Sequence, residues 1–363
     1  MNCNLCGHEN RDTARFCDTC GAALDRTVTR TGIDPELEAV RQAFHERYLV
    51  ESLLGRGGMG NVYKARERTL DRYVALKIVP QYRAQDPQFV ERFNREARIA
   101  ARLRHPRIVS VHEVGTMGPF PYFSMDYIEG SSLRAVVERR RPLPQEDAIS
   151  IVVEICRAVA HAHSKGIVHR DLKPENVMID TEGDVFVMDF GLARAVEDEA
   201  ITTPGTIMGT PFYMSPEQLD GQKLDERSDI YSIGLILYYC LTGEELFRAE
   251  NVTAVIAKHA AISVRDVVST HSLLPANLQD VLVSMMEEDR NMRARSVKEV
   301  LERLTLRKIV ALGLAATEDQ PEMAEVAPPM AFAEAAAVTT EDPRVSAAAE
   351  RRKARLRSLL DTM

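Results

Sequence analysis

The sequence predicts an α+β fold in which a small strand-rich unit precedes a larger helical one, behind a short cysteine-rich module. Three observations carry this. Tyr48 to Leu54 alternates like a strand, turns through Gly55-Arg56-Gly57-Gly58-Met59-Gly60, and resumes as Val62-Tyr63-Lys64-Ala65-Arg66, with a third strand at Val74-Ala75-Leu76-Lys77. From Pro144 to about Leu306 apolar residues recur at helical spacing instead. Four of the six cysteines fall at positions 3, 6, 17 and 20.

Length and charge narrow the function classes. A chain of 363 residues has room for one large unit with smaller appendages. The net charge of -8 argues against generic nucleic-acid binding. The apolar run from Ile309 to Leu314 is far shorter than the roughly 20 residues that cross a bilayer. The N-terminus opens on cysteines and polar residues instead of a basic-then-apolar leader. These features predict a cytoplasmic protein with no membrane association.

Cys3-x-x-Cys6 and Cys17-x-x-Cys20, each followed directly by glycine (Gly7, Gly21), resemble a zinc ribbon. Two knuckles would present four thiolates tetrahedrally to one structural Zn²⁺, leaving no position open for water. So short a peptide has almost no core and would depend on the metal to fold. A redox pair or fortuitous cysteines are the alternatives, and a doubled C-x-x-C weighs against both. His8 is read as a bystander, and partner docking through the ribbon is open.

After a polar linker, Asp34-Pro35 reads as an N-cap with Pro at the first helical position, and Leu37, Val40, Arg41 and Phe44 share one face. That helix either packs on the next domain or is an exposed connector. Asp86-Pro87 starts a second helix with Val90, Phe93, Ala97 and Ala101 as its apolar stripe and Glu96 beside it. Pro144 opens a long helix with Ala148, Ile151, Ile155 and Val159 inward, ending at Gly166. His161 and His163, near its end, read as surface or capping groups, and Cys156 and Cys240 as core packing.

The chemistry concentrates in His169-Arg170-Asp171-Leu172-Lys173-Pro174-Glu175-Asn176-Val177 and in Asp189-Phe190-Gly191. An acid for a hydroxyl proton, a cation for a phosphate, and an amide and a carboxylate for metal ions lie close together there, the recurring parts of phosphoryl transfer. A bare G-x-G-x-x-G is weak by itself, because dinucleotide folds use the same glycines between a strand and a helix. Here a second strand follows, so the loop is a hairpin lid. Together with Val74-Ala75-Leu76-Lys77, His105-Pro106-Arg107-Ile108-Val109 and Gly209-Thr210-Pro211-Phe212-Tyr213-Met214-Ser215-Pro216-Glu217, these motifs resemble the protein kinases. The Gly-Gly-Met-Gly flap and the Ser-Pro-Glu-Gln segment resemble the bacterial Hanks-type serine/threonine group most.

The resemblance implies a two-lobed kinase fold, a small β-rich N-lobe and a larger helical C-lobe, using ATP and Mg²⁺ or Mn²⁺ on Ser/Thr hydroxyls of protein substrates. It implies that Leu54, Gly55, Gly57, Gly60, Val62, Ala75, Lys77, Met125, Asp126 and Ile128 surround ATP, with hinge backbone groups of Asp126 and Ile128 on adenine. Met125 is explained equally well as ordinary core packing. Glu96 would aim Lys77, Asp171 would orient the substrate hydroxyl, Lys173 would neutralise the γ-phosphate, and Asn176 and Asp189 would hold metal. His169 is carried over as structural. Thr210 and Lys173 mark the serine/threonine branch. Glu217 and Arg293 would form a buried ion pair, although Ala294 stands where relatives commonly have proline, and Ser215 stands where they usually have alanine. Asp229 would brace the catalytic loop.

Thr202, Thr203 and Thr206 occupy a polar loop before Glu217 whose phosphorylation could recruit Arg170; an unmodified Thr-rich connector is the plainer alternative. The tail is read as an Ala/Pro/acid-rich disordered linker followed by a basic helical stretch, solvated or docking a partner. The predicted domains are 1–24, zinc ribbon; 25–47, linker and short helix; 48–306, kinase; 307–343, disordered linker; and 344–363, basic segment. A pseudokinase scaffold or docking protein is the alternative, disfavoured because Lys77, Asp171, Asn176 and Asp189 are all present.

Overall fold

The computed structural model describes residues 34–190 and 211–311, with no account of side chains over 307–311. The cysteine quartet, Thr202, Thr203, Thr206, Thr210 and the basic C-terminal segment lie outside the described residues.

A five-stranded antiparallel sheet in the order β1-β2-β3-β5-β4 forms the smaller lobe. Its strands are β1 (Tyr48–Gly57), β2 (Gly60–Glu67), β3 (Arg72–Ile78), β4 (Val111–Met117) and β5 (Phe120–Asp126). The first two strands run on into the glycines, pairing Gly55 with Val62, Arg56 with Asn61 and Gly57 with Gly60. The sequence pattern ended the first strand at Leu54, because glycine carries no alternation to read. Gly60 must be glycine for room: a Cβ there would stand 2.8 Å from the Ile78 carbonyl oxygen on β3.

Helix α1 (Pro35–Phe44) is part of this lobe and not an exposed connector. The Asp34 carboxylate caps it by accepting from the Glu36 and Leu37 amides. Val40 and Phe44 are wholly buried, and the Phe44 ring meets Tyr122 edge-on at 5.0 Å. Burying two such side chains contributes about 1.5–3 kcal/mol each, enough to fix the helix on the sheet.

On the other side of the sheet lies α2 (Pro87–Ala100), capped by Asp86. Its buried positions are Phe89, Phe93, Glu96 and Ala97, whereas Val90 is half-buried and Ala101 exposed. The stripe is therefore rotated from the expected one, and Glu96 lies within it instead of beside it.

The larger lobe is built on α4 (Gln145–Ser164) and α6 (Glu226–Thr242). Every α6 residue from Ser228 to Thr242 is buried, which is why its sequence is apolar all round. At Gly234 the helix comes so close to its neighbour that a Cβ would meet Met286 Cγ at 2.5 Å. Shorter pieces are β6 (Gly130–Ser132), α3 (Leu133–Arg139), β7 (Val177–Asp180), β8 (Val185–Val187) and α5 (Pro216–Leu219), with β6, β7 and β8 forming a small sheet. Helices α7 (Val252–Ala261), α8 (Val264–Thr270), α9 (Ala276–Met286) and α10 (Val297–Ala311) complete it. Helix α10 continues past residue 306, so the first residues assigned to a disordered linker are helical.

His105 to Ser110 stitches the lobes together. Val109 N–H donates to the Val187 carbonyl at 3.0 Å, Val187 N–H to Arg107 at 2.8 Å, and Asp126 N–H to Ser110 at 3.0 Å. Arg107 adds ion pairs to Glu154 (3.1 Å) and Asp184 (2.9 Å) of the larger lobe. The crevice between sheet and helices is thus held at its back.

Candidate active site

Lys77 reaches the crevice from the centre of the sheet, on β3 between β2 and β5. Its Nζ pairs with Asp189 Oδ1 at 2.8 Å, and the lysine side chain is 6% exposed. Asp189 follows β8 in a left-handed conformation (φ 63°), as does Arg170 (φ 71°). Such backbone costs about 1–3 kcal/mol for a non-glycine residue and persists only where neighbours over-determine it.

The expected Lys77–Glu96 ion pair is not formed. Glu96 is buried and neither carboxyl oxygen has a hydrogen-bond partner. Burial pushes its pKa up from 4.5 to about 8, against the pull of Lys77 and with a further push from Asp189. Lys77 has one ammonium and two carboxylates to choose from, and Asp189 holds it. Glu96 instead faces a small cavity behind Met125, with Phe123, Asp189 and Phe190 on its walls.

Because its pKa in the fold lies above 4.5, folded Glu96 keeps a proton that the unfolded chain has lost across the window from pH 4.5 to about 8. Stability of this arrangement therefore falls as pH rises through that window and levels off above it. Carboxyl ¹³C NMR of the nucleotide-free protein should show Glu96 titrating near pH 8. A midpoint near 4.5 would mean that Lys77 already holds it.

The loop between α4 and β7 gathers the second group. Lys173 Nζ donates to both Asp171 carboxylate oxygens, at 3.0 and 2.8 Å. Asn176 Nδ2 donates to the Asp171 carbonyl at 2.7 Å and to its Oδ2 at 3.1 Å, which leaves the amide oxygen as the group for a cation. Burial works to lower the Lys173 pKa and the Asp171 carboxylate overcomes it, so the ammonium stays charged.

Asp229, buried in α6, holds this loop by its backbone. Its carboxylate accepts from the His169 N–H at 2.8 Å and the Arg170 N–H at 2.9 Å. His163 Nε2 lies 2.6 Å from the same carboxylate, so His163 is a buried partner and not the surface or capping group its sequence position suggested. Burial alone would raise the Asp229 pKa, but the His163 hydrogen bond and charge keep it below the ordinary value. His161 stacks on His105 at 5.1 Å. No sequence signal joined His163 to Asp229, which lies on another helix.

His169 is structural here too. Burial lowers its pKa; its Nε2–H donates to the Met188 carbonyl at 3.0 Å, and its Nδ1 accepts from the Asp171 N–H at 3.3 Å. The neutral ring, 4.5 Å from Phe190, ties Asp171 to the Asp189 segment.

The floor of the larger lobe carries a bidentate pair, Arg293 Nη1 to Glu217 Oε1 at 2.7 Å and Nη2 to Oε2 at 3.0 Å, so alanine at position 294 does not prevent it. Ser215 has a larger part than a small-for-small change implies. Gln218 Oε1 accepts from both its N–H (3.0 Å) and its hydroxyl (3.1 Å), while Gln218 Nε2 donates to the Arg170 carbonyl at 2.6 Å. The S-x-x-Q spacing was the signal available for this link.

At the rear of the crevice, Met125 is buried at the end of β5. The Asp126 N–H is spent on Ser110, so only the Asp126 carbonyl could meet an adenine. Leu54 stands exposed on β1, and Val62 and Ala75 lie on adjacent strands with Val62 paired to Lys77. A carboxylate and an amide form an all-oxygen donor set that suits a hard divalent cation.

Residues 48–304 match the protein kinase domain family, and residues 2–24 the zinc-ribbon domain family. Serine/threonine-protein kinase PknB of Mycobacterium leprae is 39% identical over 260 residues, which cover 70% of this chain and 42% of that protein. A probable serine/threonine-protein kinase of Clostridium perfringens, CPE1738, is 36% identical over 78% of this chain, again 42% of its own length. The chain thus spans less than half of these curated relatives. The crystal structure of the Mycobacterium tuberculosis PknI kinase domain superposes with a TM-score of 0.55 at 26% identity, covering 72% of this chain and 96% of that one. A kinase family implies ATP and a divalent metal, and the polar groups facing the crevice suit both. The chain belongs to the protein kinase family, among its bacterial serine/threonine members.

Proposed function

We propose that the whole protein is an active serine/threonine kinase that moves the γ-phosphate of ATP to Ser or Thr hydroxyls of protein substrates. The observation that carries this reading is the convergence of Lys77 from the smaller lobe with Asp171, Lys173, Asn176 and Asp189 from the larger one on a single crevice. Phosphoryl transfer asks for charge and position more than for a nucleophile on the protein, and these groups supply both.

In this reading Asp171 orients the attacking hydroxyl and accepts its proton as the new O–P bond forms and the bond between the γ-phosphorus and the β,γ-bridging oxygen breaks, releasing ADP. Lys173, released from Asp171, neutralises the transferring group. Lys77 holds the α- and β-phosphates once Glu96 replaces Asp189 as its partner. Asp189, then free, and Asn176 would hold Mg²⁺, or Mn²⁺ in its place, and the chemistry such an ion would supply is neutralisation of phosphate charge. Gly55, Gly57 and Gly60 let the flap approach the phosphates, and Leu54, Val62, Ala75, Met125, Asp126 and Ile128 border the base. Thr202, Thr203 and Thr206 are assigned to activation by phosphorylation, and Thr210 to the substrate side.

Cys3, Cys6, Cys17 and Cys20 are assigned to one structural Zn²⁺, a reading supported by their spacing and the zinc-ribbon match. Reduced thiolates and an ATP supply point to the cytoplasm. Among the described residues no helix is long and apolar enough to cross a membrane.

The test is transfer of labelled γ-phosphate from ATP with Mg²⁺ to the chain itself and to a generic protein substrate, followed by phosphoamino-acid analysis. Label on phosphoserine or phosphothreonine is expected. Nucleotide binding without any transfer would instead support the scaffold reading.

A further inference from the structure

The phosphate flap is tied to a helix that lies outside the matched kinase region. Arg56, between the first two flap glycines, places Nη2 at 2.5 Å from Asp34 Oδ2 and Nη1 at 3.2 Å from Glu36 Oε2. Asn61, across the hairpin from Arg56, donates through Nδ2 to the same Glu36 oxygen at 3.0 Å. Glu36 therefore grips both strands of the lid, and Asp34 adds a second hold on the first.

The grip has a rigid base. Asp34 caps α1 and Glu36 stands in its first turn, while Phe44 at the other end is sunk into the sheet. Between them Arg41 donates through Nε to the Val50 carbonyl (3.1 Å) and through Nη2 to the Glu51 carbonyl (2.6 Å) of β1. The helix is thus fastened along β1 and can hold the flap end of that strand in a fixed place. Glycine-rich hairpins lose much conformational freedom when ordered, so a lid held beforehand costs less to close.

We propose that Asp34 and Glu36 are positioning residues for ATP binding: through Arg56 and Asn61 they pre-order the flap over the phosphates. This rests on the kinase reading above and deepens it. The consequence is that α1 is mechanically connected to the nucleotide lid, because any displacement of Asp34 moves its grip on Arg56.

The test uses the full chain carrying Asp34→Asn with Glu36→Gln. Asparagine caps a helix as well as aspartate, and glutamine can still meet Asn61, so the charge is removed with little change of shape. The KM for ATP should rise about fivefold, the size that two partly exposed ion pairs on one guanidinium support. The kcat should stay within about twofold, because the interaction prepares binding and not the chemical step. Arg56→Gln should give the same KM, and adding it to the acid-neutral pair should change nothing further. Hydrogen exchange of the nucleotide-free chain should quicken at flap amides 55–62 in each variant.

An unmoved KM in a chain whose wild type transfers phosphate overturns the proposal, as do additive effects of the two sets of substitutions. A lower melting temperature with unchanged KM and flap exchange would reduce the contact to a structural one and overturn it too. If the wild type transfers no phosphate, the kinase reading fails on its own, and flap exchange still decides whether the grip exists.

Discussion

Replacing Asp171 with asparagine should lower phosphoryl transfer by about a thousandfold while leaving ATP affinity within about threefold. The substitution keeps the shape that Asn176 and Lys173 meet, at 3.1 and 2.8 Å, but removes the charge that attracts a hydroxyl proton. It also frees Lys173, whose ammonium loses the carboxylate that keeps its pKa up. In the proposed reading the nucleotide contacts lie with other residues, so binding and chemistry should separate. Single-turnover transfer and titration with a non-hydrolysable ATP analogue measure the two. Transfer retained within about tenfold of wild type would remove Asp171 from its assigned role.

The second large effect is on stability. Arg293→Ala should destabilise the larger lobe by about 3–5 kcal/mol, because it strands the Glu217 carboxylate in the interior. Both side chains are almost wholly buried, and the guanidinium also donates to the carbonyls of Arg227, Glu287 and Glu288. Burial works to raise the Glu217 pKa, and the Arg293 hydrogen bonds and charge overcome it, leaving the folded value below 4.5. This contribution is therefore present above pH 4.5 and is lost as pH falls through the lower folded value. Urea unfolding at neutral pH checks the magnitude. The paired change Glu217→Gln with Arg293→Met should cost less than Arg293→Ala alone, because it leaves no buried charge. A loss under about 1 kcal/mol for Arg293→Ala would show the pair to be dispensable.

Lys77 holds Asp189, and Lys173 and Asn176 hold Asp171, so the anions that would meet metal and hydroxyl are each paired internally. Glu96, buried and held near neutrality, waits within the reach of Lys77's charge. Nucleotide phosphates and metal would compete for these same groups. The exchange of Asp189 for Glu96 at Lys77 is the electrostatic change that activation requires in this reading.

Much of this is legible in the sequence, and for a definite reason. The strand–glycine–strand order, Lys77 on the third strand, the caps at Asp34 and Asp86, and the buried helix after Asp225 are local patterns, set by backbone freedom and by periods of two or 3.6 residues. Cysteine spacing and the run from His169 to Asn176 are local in the same sense, so they pointed to the zinc-ribbon and kinase families by residue type and order. What the chain's order could not decide was which of several chemically suitable partners each charge would take. Lys77 could meet Glu96 or Asp189; His163 could face water or Asp229; Asp34 and Glu36 could cap a loose helix or grip Arg56. Those choices join residues far apart in sequence, and burial, reach and competing charge separate alternatives that local propensity leaves equal, so packing alone settled them.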